Sequence, residues 1–263
     1  MTALVEGVEL TRTFGRHASA VQAVDGVSLQ VAAGERLGVV GESGSGKSTL
    51  VRMLAALDMP TSGQVLFDGR LVSGLPESQL GFFRSAVQMV FQDPRSSLNP
   101  RMRVGDIVTE PLRSRLIRRA GAEHLDRARR LAEVLEAVGL PQSAARRYPH
   151  EFSGGQRQRI AIARALAPKP SVLIADEPVS ALDVSVRAQV LNLLNDLVRD
   201  YALTLVFVSH DLTVVRHVCD TVAVMRSGQI VELGPTRAVY DEPQHAYTRA
   251  LLAAVPRLPT ESR

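Results

Sequence analysis

The segment GESGSGKST at positions 41–49 constrains the fold of this chain more than any other stretch of its sequence. It follows the apolar run ERLGVV and precedes a helical pattern over 47–57, so the sequence predicts a strand, a glycine-rich loop and a helix in succession. Small residues let successive backbone N–H groups converge on phosphate, and the positive end of the helix adds to the attraction. The predicted phosphate-binding residues are Gly41, Glu42, Ser43, Gly44, Ser45, Gly46, Lys47, Ser48 and Thr49. A glycine- and serine-rich turn without a ligand is the alternative, and the flanking strand and helix argue against it.

Two side chains of this loop have separate expected roles. Lys47 is one of two lysines among 31 Lys and Arg residues, and a compact ammonium suits a narrow phosphate cradle. We expect Lys47 to reach the β- and γ-phosphates of a nucleotide, and the Ser48 hydroxyl to ligate Mg²⁺.

A buried strand that ends in two acids adds to this chemistry. In SVLIADEP, four apolar residues precede Asp176 and Glu177. The first carboxylate can hold the Mg²⁺ shell, and the second can orient and deprotonate an attacking water. Many buried strands end in acids, so the pattern becomes specific only together with the phosphate loop. A GTPase would also carry an Asn-Lys-x-Asp motif, and neither lysine has that setting.

A second turn, in HEFSGGQRQRIAIARAL, is also suited to hold an anion. Ser153 can cap the helix that follows, and two glycines expose backbone N–H groups at its positive end. A plain helix start is the alternative reading, but it would not need both glycines and a glutamine. The candidate residues are Ser153, Gly154, Gly155 and Gln156.

Strand and helix patterns alternate through most of the chain. The apolar runs SVLIAD, LTLVFVS and DTVAVM predict strands, and VSVRAQVLNLLNDLVRD and LTVVRHV predict helices between them. This alternation is typical of a largely parallel sheet. From about 104 to 166 the periodicity is helical instead. The sequence therefore predicts an α/β fold in which a helical segment interrupts the sheet.

Composition excludes several other classes of protein. No apolar run reaches the ~18 residues typical of a membrane span, and the N-terminal segment lacks the form of a signal peptide. Cys219 is the single cysteine, so an internal disulfide and a cysteine-based zinc site are excluded, and a reducing cytosol fits best. The net charge is +4, and acids interrupt the densest basic stretch, which favours solvated helix faces over a nucleic-acid surface.

Six motifs in a fixed order resemble those of the ATP-binding cassette (ABC) ATPases, over nearly the whole chain. They are the Lys47 loop, Gln92 in MVFQDP, the SGGQR turn at 153–157, Asp176-Glu177, SALD at 180–183, and His210 in VFVSHD. The resemblance implies one ABC ATPase domain over 1–263 with a P-loop core and an N-terminal antiparallel β portion. In this division the core is 1–92 and 168–240, the helical subdomain about 93–167, and a short C-terminal extension 241–263.

The resemblance also implies roles for residues whose chemistry alone is ambiguous. Gln92 would sense Mg²⁺ or the attacking water, and His210 would contact the γ-phosphate, alongside Glu177 as the catalytic base. Asp183 would help to pair two subunits, although it can equally be only the N-cap of the next helix. Phe14 would stack on adenine where the family usually has Tyr. The SGGQ turn would hold the γ-phosphate of an ATP bound to a second chain, in a head-to-tail dimer.

The segments MVFQDPRSSLNPRMRVGDIVTEPL and EPQHAYTRALLAAVP resemble the oligopeptide, dipeptide and nickel importer group in particular. Ala246 departs from the proline usual in that group, and Phe152 from the leucine usual before the SGGQ turn. The short end is most like the second ATP-binding subunit of nickel importers.

This resemblance implies an ATP- and Mg²⁺-dependent subunit that energises a membrane importer of nickel or short peptides. The implied partners are integral-membrane permease subunits, an identical or paralogous second ATPase, and indirectly an external solute-binding protein. The expected location is the cytoplasmic side of a bacterial-type inner membrane. The alternative is a cassette ATPase that acts on nucleic acid, and it would need a long insertion between Lys47 and Ser153.

Overall fold

The computed structural model describes residues 3–15, 20–120 and 125–254, and 255–263 of the expected C-terminal extension lie outside them. The strands are β1 Ala3–Phe14, β2 Val21–Ala32, β3 Arg36–Val40, β4 Ser62–Phe67, β5 Arg70–Leu71, β6 Val87–Val90, β7 Val172–Asp176, β8 Thr204–Ser209, β9 Thr221–Arg226 and β10 Gln229–Pro235. The helices are α1 Lys47–Leu54, α2 Gly81–Ala86, α3 Pro94–Ser97, α4 Val104–Val108, α5 Arg115–Arg119, α6 Arg127–Ala137, α7 Gly154–Leu166, α8 Val184–Asp200, α9 Leu212–Val218, α10 Thr236–Asp241 and α11 Ala246–Ala253. Short 3₁₀ turns occur at Glu77–Gln79, Pro111–Arg113, Gln142–Arg146 and Pro149–Glu151.

The central sheet has the strand order β10-β9-β3-β8-β7-β6, and all its pairs except β9–β10 are parallel. Its inner strands are apolar on both faces, as parallel strands covered from both sides must be. The strand β7 is buried on both faces. Leu173 and Ala175 belong to the apolar cluster that includes α7 and α8, and Val172 and Ile174 belong to the cluster that includes α1. The predicted α/β class with a mostly parallel sheet is confirmed.

A second sheet of order β2-β1-β4-β5 is antiparallel, which confirms the expected N-terminal β portion. Its apolar face and α1 share one buried cluster with one face of the central sheet. The helices α4, α6, α7, α8 and α9 share the other cluster with the opposite face. The phosphate loop therefore begins where β3 leaves a sheet that is packed on both sides.

The helix predicted over 47–57 is shorter, and α1 ends at Leu54. The N–H of Ala56 bonds to the carbonyl of Met53, and that of Leu57 to the carbonyl of Arg52. Ala56 takes a left-handed conformation with φ 50° to close this C-terminal cap. Glycine is the usual residue in such a cap, and because alanine occupies it here, the sequence did not reveal where α1 ends.

Across the described parts of the chain, no helix is both long enough and apolar enough to cross a lipid bilayer.

Candidate nucleotide site

The phosphate loop connects the end of β3 to the start of α1, and its glycines are required by close contacts. A Cβ on Gly41 would lie 2.2 Å from the carbonyl oxygen of Met225. Gly46 has φ +103°, and a Cβ there would lie 2.2 Å from the carbonyl oxygen of Ala23. Both contacts are with backbone, so no side-chain movement could relieve them. The backbones of the neighbouring strands β2 and β9 therefore restrict the conformation of the loop.

Lys47 is buried at the first position of α1. Its Nζ donates to the carbonyl oxygens of Gly41 at 2.8 Å and Glu42 at 2.7 Å. Burial lowers the pKa of Lys47, and the carboxylates of Glu177 and Asp176 oppose that change. A buried ammonium in this position favours an anionic ligand.

Ser48 and Asp176 meet at the carboxyl end of β7, where the hydroxyl donates to Asp176 Oδ1 at 3.0 Å. Burial raises the pKa of Asp176, and this hydrogen bond acts in the opposite direction. A hydroxyl and a carboxylate are hard oxygen donors of the type that Mg²⁺ takes. No group of three or more His, Cys, Asp or Glu residues able to hold a metal occurs among the described residues. A magnesium ion bound mainly by phosphate and water, with few protein ligands, fits this donor set.

Glu177 follows β7 with φ 46°, a left-handed conformation that is strained for a residue with a side chain. Its N–H bonds to the carbonyl of Val208 at 3.1 Å, which anchors the backbone to β8. Gln92 Nε2 donates to Glu177 Oε2 at 3.0 Å, and His210 Nδ1 lies 3.3 Å from the same oxygen. The structure therefore brings together the three residues expected to act on the γ-phosphate and water.

One cavity of about 730 Å³ joins these groups to the phosphate loop. It is lined by Ala23, Glu42, Ser43, Gly44, Gly46, Lys47, Ser48, Thr49, Gln92, Glu177, His210 and Leu251. Sequence reasoning did not identify Ala23 or Leu251, and neither residue carries a polar side chain that could have signalled the site.

The SGGQ turn forms the N-terminal cap of α7. Gln156 N–H donates to Ser153 Oγ at 3.3 Å, and Ser153 N–H donates to Gln156 Oε1 at 3.0 Å, which is a capping box. A Cβ on Gly155 would lie 2.3 Å from Val186 Cγ1, whereas one on Gly154 would make ordinary contact. Among the described lining residues of the cavity, none belongs to this turn. The two candidate anion sites are therefore separate within one chain.

Asp183 and Phe152 flank this region. Asp183 caps α8 by accepting from the N–H of Val186 and the hydroxyl of Ser185, and the first of these bonds is the largest cause of its lowered pKa. Phe152 is buried, and its ring lies 4.4 Å from the Arg147 guanidinium, as expected of a packing residue.

Phe14 lies at the end of β1, and its side chain is exposed. The Arg12 guanidinium lies 4.5 Å from the ring centroid, and Arg12 also pairs with Asp58 at 2.7 Å. Phe14 does not appear among the described residues that line the cavity. Its stacking on adenine stays a prediction.

A family model described as "ABC transporter" matches residues 24–180, from β2 through the SGGQ turn to Ser180. The chain belongs to the ABC transporter family. A second model, "Oligopeptide/dipeptide transporter, C-terminal region", matches residues 231–263. The chain is therefore an ABC-type, ATP-binding ATPase.

Relatives of this ABC protein carry peptide-transport names. It is 53% identical over 246 residues to a probable peptide ABC transporter ATP-binding protein of Sinorhizobium fredii, covering 92% of this chain and 68% of that one. It is 52% identical over 244 residues to the oligopeptide transport ATP-binding protein AppF of Bacillus subtilis, covering 92% and 73%. Against the glutathione import ATP-binding protein GsiA of Escherichia coli, it is 53% identical over 236 residues, which is 90% of this chain but 37% of that protein.

Solved structures confirm the cassette fold. A dimeric ABC cassette in a post-hydrolysis state bound to ADP and Pi superposes with a TM-score of 0.76 at 32% identity, covering 89% of this chain and 99% of that one. The cbiO1 subunit of an ABC transporter complex from Clostridium perfringens gives a TM-score of 0.78 at 26% identity, covering 92% of each chain.

Proposed function

We propose that this ABC protein hydrolyses Mg·ATP at a site completed by a second ATPase chain, and so energises a membrane importer of short peptides. The observation that carries the proposal is the position of the Glu177 carboxylate. It lies in the cavity of the phosphate loop and is held by Gln92 and His210, at 3.0 and 3.3 Å. A carboxylate fixed at the phosphate end of such a loop suits a general base for hydrolysis.

The candidate site residues divide the binding and catalytic tasks of the proposal among them. The backbone of the loop and the Lys47 ammonium hold the β- and γ-phosphates. Glu177 accepts the proton of the attacking water, and His210 contacts the γ-phosphate. Ser48, Asp176 and Gln92 would hold Mg²⁺, which when bound supplies positive charge against the phosphate oxygens. Phe14 stacks on adenine at the end of β1.

A second chain is needed because the SGGQ turn lies outside the cavity that holds Lys47. Its exposed helix N-terminus is a preorganised donor set for a γ-phosphate bound by another chain. The similar cassette bound to ADP and Pi is dimeric, which supports this arrangement. Asp183 contributes to the pairing surface beyond its capping of α8.

The permease is proposed to dock in a second cavity, of about 560 Å³, between the core and the helices after β6. Arg52 and Arg84 line it from the core side, and Ser97 and Arg164 from the helical side. Gln92 lines this cavity and the nucleotide cavity alike. A movement of the helices 93–167 against the core 1–92 and 168–240 would therefore displace Gln92, and with it the hydrogen bond that Gln92 donates to Glu177. Docking there places the protein at the cytoplasmic side of the inner membrane.

Short peptides are the solute class that we favour, because the relatives are named for peptide, oligopeptide and glutathione transport. Nickel stays a prediction from the resemblance alone. In either case an external solute-binding protein delivers the solute to the permease, and this subunit does not touch it.

Reconstitution with the permease subunits in liposomes tests the proposal. We expect an external binding protein loaded with a dipeptide to raise ATP hydrolysis, whereas the same preparation with Ni²⁺ leaves it unchanged. Stimulation by Ni²⁺ alone would replace the peptide assignment with nickel. Stimulation by DNA or RNA without any response to the permease would refute the transport function.

A further inference from the structure

The helix α11 contacts the phosphate loop through one hydrogen bond across the fold. The Glu42 N–H donates to the Tyr247 hydroxyl at 3.1 Å, although the two residues are 205 positions apart. The Glu42 carbonyl oxygen accepts from Lys47 Nζ at 2.7 Å. Both backbone polar groups of Glu42 are therefore engaged, one by α11 and one by the lysine that serves the phosphates.

The start of α11 is fixed to the core by several contacts. The Glu232 carboxylate on β10 accepts the N–H groups of Gln244 at 2.8 Å and His245 at 3.0 Å. His245 Nδ1 accepts the Tyr247 N–H at 3.1 Å and so caps the helix. The Tyr247 ring is 8% exposed, and the Arg226 guanidinium lies 5.0 Å from its centroid. The Tyr247 hydroxyl is consequently a rigid acceptor.

The same face of α11 reaches the nucleotide cavity one turn further on. Leu251 is four residues after Tyr247, a spacing that places both side chains on one side of a helix. It lines the cavity together with Lys47 and His210. One helix thus supplies an anchor for the loop and an apolar part of the cavity wall.

We propose that Tyr247 is a positioning residue for the phosphate loop, and that Leu251 forms a wall of the ATP site. This inference rests on the proposed use of the loop for ATP. Tyr247 does not touch the nucleotide. Its hydroxyl fixes the orientation of the Gly41–Glu42 peptide plane, and with it the Gly41 carbonyl, which accepts from Lys47 Nζ at 2.8 Å. Without the hydroxyl, the loop spends less of its time in the arrangement that receives phosphate, so the apparent affinity for nucleotide falls.

Tyr247→Phe isolates the hydroxyl, because the ring, its burial and its contact with Arg226 are kept. Loss of one hydrogen bond of this kind corresponds to about a three- to tenfold change in an equilibrium constant. We expect the Kd of the full-length chain for Mg·ADP, measured by titration calorimetry, to rise by that factor. The KM for ATP should rise in parallel, with kcat changed by less than about twofold, because Glu177, Gln92 and His210 are untouched. Leu251→Ala should also raise the Kd for Mg·ADP.

Tyr201→Phe is the matched control, since that half-buried ring also lies near an arginine, Arg130, at 5.9 Å. We expect it to leave the Kd unchanged. If Tyr247 only stabilised the fold, Tyr247→Phe would lower the melting temperature and the active fraction without changing KM, and that result would overturn the inference. So would an unchanged Kd for Mg·ADP in Tyr247→Phe while the wild type binds. A wild-type chain that bound no Mg·ADP would overturn the proposed function and this inference with it.

Discussion

Glu177→Gln tests the catalytic assignment with the smallest change in shape. The variant keeps the length of the side chain and an oxygen that can accept from Gln92, so the contact that is 3.0 Å long in the wild type can persist. It loses the negative charge beside His210 and the ability to take a proton from water. Removal of a well-placed base costs about 10²–10⁴-fold in rate, which is about 3–5 kcal/mol of activation free energy. The Glu177 carboxylate would repel the negative phosphates of bound ATP, and the glutamine removes that repulsion. Mg·ATP should therefore bind the variant as tightly as the wild type or more tightly.

The assay is phosphate release at saturating Mg·ATP, with nucleotide binding and gel filtration measured on the same preparations. We expect turnover to fall within that range, binding to persist, and an ATP-bound dimer to accumulate because its phosphates are no longer cleaved. Glu136→Gln, at an exposed position on α6, is the control for the chemical change and should behave as wild type. Turnover of Glu177→Gln within about threefold of wild type would show that the base lies elsewhere.

Three further predictions concern the two anion sites, the packing at the start of α7 and the isolated chain. Lys47→Ala and Gly154→Asp should each nearly abolish hydrolysis, and mixing the two chains (or two paralogues carrying them) should restore part of it, because one composite site is then intact; absence of recovery with verified dimers would refute the second anion site. Gly155→Ala should cost about 1–3 kcal/mol of unfolding free energy by overpacking, since its Cβ would lie 2.3 Å from Val186. Gly154→Ala should lower the unfolding free energy by less. If the Gly154→Ala and Gly155→Ala variants unfolded at the same denaturant concentration, the packing argument would be contradicted. The isolated chain should hydrolyse ATP at a rate indifferent to added Ni²⁺ or dipeptide, and a saturable titration of either on this subunit would count against a transport motor.

The sequence predicted most of the regular structure around the site. The helices predicted at 184–200 and 212–218 have the bounds of α8 and α9, and the strand that carries Asp176 is confirmed. These predictions succeeded because their causes are local: a capping carboxylate such as that of Asp183, a 3.6-residue period and a continuous apolar run all act within a few residues. The strand β9 was predicted from DTVAVM, but β10 and the helices α10 and α11 were not. The turn between β9 and β10 consists of Ser227, with φ 49°, and Gly228, where hairpins more often have Asn-Gly or Asp-Gly.

The sequence by itself determined the phosphate loop, because glycine spacing, a preceding strand and a following helix are enough to specify a cradle of backbone donors. It also predicted the Ser153 cap of α7 for the same local reason, whereas the return bond from Gln156 was not predicted. Only the tertiary structure decided which distant groups share the cavity. Gln92 and Glu177 meet across 85 positions through the pairing of β6 with β7, and Tyr247 meets Glu42 across 205. Such contacts depend on strand order and on the docking of α11, which no local pattern encodes, because they arise from the burial of many apolar residues at once.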